Sequence, residues 1–529
     1  MALMRHVNIV KPNRYQDSVT LMQVAVRLRD LDGIEDASLM MGTQPNKEML
    51  AEAGLLTPES DAAGPNDLII AMRGTVEAVE AAAQGQIEDL LRAELPVSAE
   101  RQASEPHSLS AGLAALPDAN LVLISTPGIY AAAEARKALL QGRHVMIFSD
   151  NVSVEDEYAL KTLATGRGLL LMGPDCGTTI IGGVPLGFAN AVRRGGIGVV
   201  GASGTGMQEI TSLVSRLGGG ISHAIGTGSR DLSARIKGEM TIAGLRALLD
   251  DPTTRVIVVV SKPPHPDAAE RVLSEVSRAD KPVVVAFLGV DVGNLQVDDP
   301  APHLIWAATL EEAARRAVGL ELGVAPDIAE PGTGHLDGLI GQLAPSQRYV
   351  RGLFSGGTFC YEAMLVMRRA LGGIYSNTPL SPELTLESAH DSREHTCLDL
   401  GSDEFTVGRP HPMIDLSARA QRIIQEADDP EVAVILLDVV LGYGAHPDPA
   451  GVLSGVVKEA RERAAAGGRN LVVVTSICGT DGDPQGLEGQ RRALSEAGVV
   501  LAPSNAAAAR LAASIASRIS VAQPAENKE

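Results

Sequence analysis

Residues 196–210 read GIGVVGASGTGMQEI, and residues 350–363 read VRGLFSGGTFCYEA. Each stretch begins as an apolar strand, turns through serine, glycine and threonine, and continues as a helix that carries a glutamate, Glu209 or Glu362. A strand, a glycine-rich turn and a helix in this order are typical of an open α/β sheet. Because the same start occurs twice in one chain, it predicts two related α/β domains.

A second pair of matching segments supports the duplication. Residues 250–270 read DDPTTRVIVVVSKPPHPDAAE, and residues 428–451 read DDPEVAVILLDVVLGYGAHPDPAG. Both contain an acidic turn with proline, an apolar strand, and a loop that ends in His-Pro-Asp. The repeated unit has the size of a domain, which favours two flavodoxin-like domains over a solenoid. We therefore expect the turn serines, Ser203 and Ser355, to superpose at equivalent helix starts.

The rest of the chain also alternates between strand and helix patterns, as in a multi-domain α/β protein. At 529 residues it is too long for one hydrophobic core. We expect a small amino-terminal α/β domain of ferredoxin-like order, a Rossmann-like domain, and then the two flavodoxin-like domains. Their expected bounds are 1–95, 112–190, 193–325 and 343–520.

The composition argues against several partners. A net charge of -20 repels nucleic acids and anionic membranes, and no apolar run reaches membrane-spanning length. The four cysteines are scattered without a Cys-x-x-Cys pair, so we expect neither a metal site nor a disulfide framework. The first residues show no signal peptide. These features predict a cytoplasmic protein that acts on small molecules.

The two serine, glycine and threonine turns are the strongest candidate sites. A helix start offers unpaired N–H groups and about half a positive charge, and glycine lets an anion approach the backbone closely. The same residues would also serve as plain helix caps. We expect both turns to face one cleft, within the chain or across a dimer, and to hold a phosphoryl group. The residues are Ser203, Gly204, Thr205, Ser355, Gly356, Gly357 and Thr358.

A further turn, GPDCGT at residues 173–178, follows an apolar strand. Ligands of α/β proteins bind at the carboxyl ends of such strands, so Asp175 and Cys176 are candidate substrate-binding residues. Cys176 has no histidine near it in sequence to activate it as a nucleophile. A tight turn that only lines a pocket would explain the same residues.

Two kinds of loop carry candidates for proton transfer or anion binding. His265 and His446 each precede Pro-Asp in matching loops, and a histidine beside a carboxylate suits proton transfer. A proline-fixed loop would explain them equally well. Arg409 and His411 lie in a Gly-Arg-Pro-His-Pro loop, where arginine suits a carboxylate or phosphate contact, or a structural ion pair with a nearby acid.

The order and spacing of three motifs carry a family resemblance. GPDCGT, GASGTGMQE at 201–209 and FSGGTFCYEA at 354–363 resemble segments of the succinyl-CoA synthetase α subunit, and the second repeat resembles the carboxy-terminal domain of its β subunit. With DLGSDEFTVGRPHPMID at 399–415, the chain resembles the FdrA family. The resemblance makes residues 112–190 a CoA-binding-type domain and implies a multi-subunit assembly, a dimer or larger.

The FdrA resemblance implies the large subunit of an oxamate carbamoyltransferase, which serves allantoin catabolism with companion subunits. That reaction converts oxalurate and phosphate into oxamate and carbamoyl phosphate, so phosphate or carbamoyl phosphate is the expected substrate and no cofactor is required. The alternatives are a subunit of an acyl-CoA synthetase and a non-catalytic scaffold that organises partner subunits.

Three departures from succinyl-CoA synthetase favour the carbamoyltransferase over the ligase. The loop after Gly289 reads VDVGN and has no histidine, whereas the resembled enzyme carries phosphate on a histidine there; the nearest histidines are His265 and His303. The chain also shows no ATP-grasp module and no GxTGxxG loop for the phosphates of CoA. We therefore expect no phosphohistidine, and binding of CoA is an open alternative.

Overall fold

The computed structural model describes residues 4–14, 16, 18–93, 106–291, 303–324, 326–328, 334–406 and 410–522. The chain forms two compact units. The first comprises Met1–Ala119 with Ser402–Asp415, and the second comprises Asn120–Gly401 with Leu416–Glu529. Every helix in the described ranges is too short or too polar to cross a membrane.

The first unit is a small α/β domain with an antiparallel sheet in the order β1-β3-β2. Alternate residues of β3, such as Leu68 and Ile70, share a buried hydrophobic core with Leu28 of the first helix. Residues 402–415, called the excursion below, belong to this unit although they lie far along the sequence. An ion pair between Arg29 and Asp415 holds them there. Its elements are β1 (Met4–Lys11), α1 (Ser18–Arg29), β2 (Ile34–Met41), α2 (Gln44–Glu52), α3 (Pro58–Asp61), β3 (Leu68–Thr75), α4 (Val76–Ala81), α5 (Ile87–Ala93), α6 (Leu109–Ala115) and, in the excursion, α15 (Asp403–Thr406).

The second unit opens with a Rossmann-like parallel sheet in the order β4-β5-β6. Lys161, fully buried on α8, donates to Glu157 and to Asp231, both at 2.8 Å, and so fixes this layer to the first repeat. The elements are β4 (Leu121–Ile124), α7 (Gly128–Leu140), β5 (His144–Ile147), α8 (Val154–Gly166) and β6 (Leu171–Met172).

The first repeat is a seven-stranded sheet in the order β13-β12-β11-β9-β10-β7-β8. Its parallel strands β9 to β13 have the 2-1-3-4-5 order of flavodoxin-like folds, and the hairpin β7-β8, from the end of the expected Rossmann-like segment, joins its edge. The elements are β7 (Thr178–Ile181), β8 (Val184–Gly187), β9 (Arg194–Gly201), α9 (Gly204–Arg216), β10 (Ile221–Gly226), α10 (Glu239–Asp250), β11 (Val256–Ser261), α11 (Pro266–Val276), β12 (Val283–Phe287), β13 (Leu304–Trp306), α12 (Leu310–Leu322) and the following α13 (Gly334–Ile340).

The second repeat has the order β15-β16-β14-β17-β18-β19, and its strands β16, β14, β17, β18 and β19 repeat the 2-1-3-4-5 order. This confirms the expected fold class. The elements are β14 (Tyr349–Phe354), α14 (Gly357–Leu371), β15 (Tyr375–Ser376), β16 (Thr396–Asp399), α16 (Ser417–Asp428), β17 (Val432–Val440), α17 (Pro449–Ala466), β18 (Val472–Cys478), α18 (Leu487–Glu496), β19 (Val500–Ala502) and α19 (Asn505–Ala522).

Two buried glutamates hold the repeats together in a reciprocal way. Glu209 on α9 accepts a hydrogen bond from the backbone N–H of Asn505, the first residue of α19 in the other repeat, at 3.0 Å. Glu362 on α14 accepts one from Leu310, the first residue of α12, at 2.6 Å. Each carboxylate therefore lies at the positive end of the other repeat's last helix, where a negative charge is favoured. This exchange places α9 and α14, and hence their first residues, side by side.

Burial gives Glu362 an unusual proton affinity. Desolvation raises its pKa to about 7, against the hydrogen bonds from Asn505 and Leu310, which lower the pKa. The folded-state pKa thus lies above the unfolded-state value of 4.5. Stability from this group is fully present below pH 4.5 and is lost as the pH rises through 7.

We expect Glu362→Gln to flatten the pH dependence of folding. The wild-type free energy of unfolding should fall between pH 4.5 and 7 by about 1.4 kcal/mol per pH unit more than that of the variant, because the variant has no proton to lose there. Urea unfolding at several pH values measures the slope. Glu488→Gln, at an exposed ion pair with Arg491, is the matched control and should keep the wild-type slope. An unchanged slope in Glu362→Gln would contradict the shifted pKa.

Candidate functional site

The first turn lies between β9 and α9. Ser203 is the residue before the helix, and its Oγ accepts a hydrogen bond from the N–H of Gly206 at 3.1 Å. The N–H groups of Gly204 and Thr205 have no acceptor within the described part of the chain. The start of α9 therefore keeps two backbone donors for a ligand.

The second turn differs from the first by one residue. Gly356, and not Ser355, is the residue before α14. The carboxylate of Asp438 on β17 accepts from the N–H and the hydroxyl of Ser355, at 2.9 and 2.6 Å, and from the N–H of Gly356 at 3.2 Å. Buried Arg419 balances this carboxylate at 2.7 Å.

The expected equivalence of Ser203 and Ser355 is therefore wrong. An extra glycine in the second turn moves its serine back by one position, where Asp438 binds it. The equivalent residues are the threonines, Thr205 and Thr358, each the second residue of its helix.

The two helix starts touch each other. Ser203 Oγ and Thr358 Oγ1 are 2.7 Å apart, and a methyl group placed on Gly356 would lie only 2.8 Å from Cγ2 of Thr205. The side chains of Ser203, Thr205 and Thr358 are each at most 9% exposed, whereas Gly204 and Gly357 are partly exposed. Two positive helix ends thus meet at one place, and an anion there would relieve their mutual repulsion.

Two charged residues that the sequence analysis did not identify, Lys262 and Asp399, lie next to the paired helix starts. A methyl group on Gly357 would overlap the carboxylate of Asp399 and lie 3.2 Å from Nζ of Lys262. Lys262 follows the last residue of β11, and Asp399 is the last residue of β16. Their position at the carboxyl ends of strands beside the central one is where ligands of such sheets bind, and that signal could have identified them.

The GPDCGT turn lies next to the first helix start. A methyl group on Gly204 would lie 3.4 Å from Oγ1 of Thr178. Cys176 is buried, and desolvation raises the pKa of its thiol to about 11, although a hydrogen bond with Thr179 lowers it. Such a thiol is protonated at neutral pH, which disfavours a nucleophilic role. Asp175 is exposed, and its backbone N–H donates to Ser149 at 2.9 Å.

The two His-Pro-Asp loops each lead into a helix, but α11 begins directly after His265 and α17 begins after Asp448. Nδ1 of His265 accepts from the N–H of Asp267 at 3.3 Å before α11. Nδ1 of His446 accepts from the N–H of Asp448 at 3.0 Å before α17. His265 is the capping residue of α11, whereas Asp448 and not His446 caps α17. Capping therefore accounts for His265 alone, and proton transfer by either histidine stays a prediction.

The remaining candidates lie elsewhere. Arg409 falls outside the described residues. His411 belongs to the excursion of the first unit, where its Nδ1 accepts from the N–H of Met413 at 3.2 Å. The structure brings together the two turns of the second unit with Lys262 and Asp399, and it places His411 in the other unit.

Three family models match the chain. The model described as CoA-ligase matches residues 353–515, the CoA binding domain matches residues 193–289, and the heavy metal-associated domain of AllF matches residues 4–107. Soft heavy metals prefer thiolate ligands, but the first cysteine of the chain is Cys176. Among the described residues no cluster of His, Cys, Asp or Glu fits a metal ion. The residues of the matched domain thus do not fit a heavy metal.

The chain is also similar to curated relatives and to solved structures. The uncharacterized protein YahF of Escherichia coli is 46% identical over 502 residues, which cover 94% of this chain and 96% of YahF. The α subunit 2 of an Archaeoglobus fulgidus succinate–CoA ligase is 31% identical over 181 residues, 33% of this chain and 60% of that subunit. The solved acetyl-CoA synthetase 1 of Ca. Korarchaeum cryptofilum, bound to phosphate and ADP, aligns with a TM-score of 0.31 and 15% identity, over 77% of this chain and 85% of that one.

Glycine substitutions should separate ligand binding from folding. Gly204→Val should fold, because the space around Gly204 is open apart from Thr178, but it should weaken anion binding by about tenfold or more by blocking the free N–H groups. Gly356→Val should destabilise the protein, since its side chain would overlap Thr205 and Phe359. Thermal unfolding and titration with phosphate measure both effects. Wild-type phosphate affinity in a folded Gly204→Val protein would make this turn a plain helix cap.

Proposed function

Because this chain belongs to the FdrA family, together with YahF, and has the domains of acyl-CoA ligases of the succinyl-CoA synthetase type, we propose that it is an acyl-transferring subunit that binds the phosphoryl group of an acyl phosphate. The observation that carries the proposal is the contact of Ser203 with Thr358. It brings two helix starts together at one point, with Lys262 beside them.

The chemistry of the site suits a phosphoryl group. The unpaired N–H groups of Gly204 and Thr205 can donate to its oxygens, and each charge-assisted hydrogen bond contributes about 1.5–3 kcal/mol. The two helix dipoles and the Lys262 ammonium balance two or more negative charges. The same groups stabilise phosphate as a leaving group when a nucleophile attacks the carbonyl carbon of the acyl phosphate.

CoA is the acyl acceptor that the domain matches favour. In that reaction the CoA thiolate attacks the acyl carbonyl, the bond between the carbonyl carbon and the phosphate oxygen breaks, and the products are a thioester and inorganic phosphate. The residues of this chain would hold the departing phosphate at the paired helix starts. ATP would be used by a separate chain of the assembly.

A second candidate is carbamoyl transfer, in which phosphate attacks oxalurate and releases oxamate and carbamoyl phosphate. It is favoured by the absence of histidine from the sequence between His265 and His303. A ligase of the succinyl-CoA synthetase type needs a histidine in this region to carry phosphate between two sites. Without this histidine, a reaction in which an acyl phosphate forms and reacts directly at the helix starts needs fewer steps. Companion subunits belong to either proposal.

The decisive assay uses the full chain purified with the subunits that accompany it. Acetyl phosphate or succinyl phosphate with CoA tests for thioester, and oxalurate with phosphate tests for carbamoyl phosphate. Thioester formation supports the ligase, and carbamoyl phosphate formation supports the transferase. If neither product forms and the chain does not bind phosphate, the protein is a scaffold and the proposal is wrong.

We expect no phosphohistidine after incubation with labelled ATP. Nδ1 of His265 accepts a hydrogen bond at the start of α11, and Nδ1 of His446 accepts one in the loop before α17. The sequence has no histidine between His265 and His303. Mass spectrometry and the acid and base stability of any label provide the measurement, with a succinyl-CoA synthetase as the positive control. An acid-labile, base-stable phosphate on either histidine would favour the ligase over the transferase.

A further inference from the structure

The strand β4 forms an unpaired edge of the Rossmann-like sheet. The sheet order is β4-β5-β6, and within the described ranges β4 pairs with β5 alone. The carbonyls of Asn120 and Ile124 accept hydrogen bonds from N–H groups at the start and just beyond the end of β5. Because successive residues of a strand point their backbone groups to opposite edges, Leu121 and Leu123 present their N–H and C=O groups outward. Such an edge is a template for another strand.

This edge lacks the features that usually keep edge strands from pairing. Natural edge strands carry charged side chains, prolines or bulges. The strand β4 reads LVLI, and its register with β5 is regular. Residues 119–133, between Asp118 and Glu134, carry no charge, and the Leu123 side chain is 46% exposed. An apolar, regular and uncharged edge is typical of a strand that is paired in the assembled protein.

Exposed apolar side chains also occur on the helix that packs against this strand. Helix α7 contacts both β4 and β5, and its Ile129, Tyr130 and Leu140 are exposed. With Leu123 they make four of the twelve large hydrophobic side chains that are exposed among the described residues. A concentration of exposed apolar side chains marks an interaction surface, whereas single ones need no explanation.

A second copy of this chain fits the edge in both charge and hydrogen bonding. The net charge of -20 makes two copies repel each other at an acidic surface, but not along the uncharged residues 119–133. The outward groups of β4 are also self-complementary. About a twofold axis at Val122, Leu121 lies opposite Leu123 of the second copy, and each of the two resulting pairs exchanges two hydrogen bonds. The leucine side chains of both copies then meet on one face of the sheet.

We infer that this chain forms a homodimer in which the two β4 edges pair in antiparallel orientation and join the two three-stranded sheets into one continuous sheet. The interface is isologous, as in most twofold dimers. It pairs the outward backbone groups of Leu121 and Leu123 and covers the apolar side chains of the edge. The inference goes beyond the proposed function and is independent of it, because it does not involve the paired helix starts.

Sedimentation equilibrium of the full chain, purified without companion subunits, tests for the dimer. We expect the mass of two chains at micromolar concentration. Leu123→Lys places on the edge the kind of charge that protects natural edge strands, and should raise the dimer dissociation constant by about tenfold or more. Leu322→Lys, at the exposed end of α12, is the control and should leave the constant unchanged. A monomeric wild-type chain, or wild-type dimerisation of a folded Leu123→Lys protein, would overturn the inference.

Introduced cysteines test the register of the pairing. The four native cysteines are buried, so an added cysteine at the edge is the accessible one. Val122 lies on the proposed axis, where the Cα atoms of the two copies are about 4.5 Å apart, which is close enough for a disulfide. Val122→Cys should therefore form an intermolecular disulfide under mild oxidation, seen as a doubled mass on a non-reducing gel. Asn120→Cys should not, because its copies lie about 13 Å apart along the strands. Any other pattern would overturn this pairing.

A strand from a companion subunit is the competing occupant of the edge. If the isolated wild-type chain is monomeric and Leu123→Lys releases a companion subunit from the purified assembly, β4 binds that subunit and the homodimer is wrong. If the isolated chain dimerises and the Leu123→Lys protein keeps its companions, the second copy is the occupant.

Discussion

The exchange of buried carboxylates between the repeats is the constraint on which the rest of the second unit depends. Glu209 and Glu362 each accept a hydrogen bond from the first N–H of the last helix of the other repeat. A buried carboxylate is unfavourable unless its oxygens are bonded, and one oxygen of each glutamate is bonded from the other repeat. The duplicated halves therefore fold against each other in one arrangement, and helices α9 and α14 run side by side because of it.

That arrangement creates an electrostatic problem at the helix starts. Two positive helix ends lie within hydroxyl contact of each other, which is unfavourable in the absence of negative charge. Asp438 accepts from the N–H groups of Ser355 and Gly356, which precede α14, and Arg419 balances that carboxylate. The first two N–H groups of each helix, at Gly204 and Thr205 and at Gly357 and Thr358, have no acceptor among the described residues. Both helix starts therefore keep backbone donors for a ligand.

The fold was largely predictable because the duplicated strand, turn and helix pattern depends on local residue types. The details of the site were less predictable. Serines are the obvious markers of the two turns, but one inserted glycine makes the threonines the equivalent residues, and only the helix boundaries reveal this. The recurring histidines suggested proton transfer, but the structure gives them different places: His265 caps α11, whereas α17 begins two residues beyond the Pro that follows His446. Lys262 and Asp399 lie in different repeats, far apart in sequence, so their meeting at Gly357 depends on the packing of the repeats.

The excursion of residues 402–415 has a consequence for how the molecule can be divided. The first compact unit takes its residues from two separate parts of the chain, and the second part enters directly after the strand that ends at Asp399. A fragment that stops at residue 119 would lack Asp415, the ion-pair partner of Arg29. The remaining fragment would retain residues 402–415 without the rest of the unit to which they belong. Each piece would lose contacts that the intact chain makes, so the small unit and the two repeats should be produced as one chain.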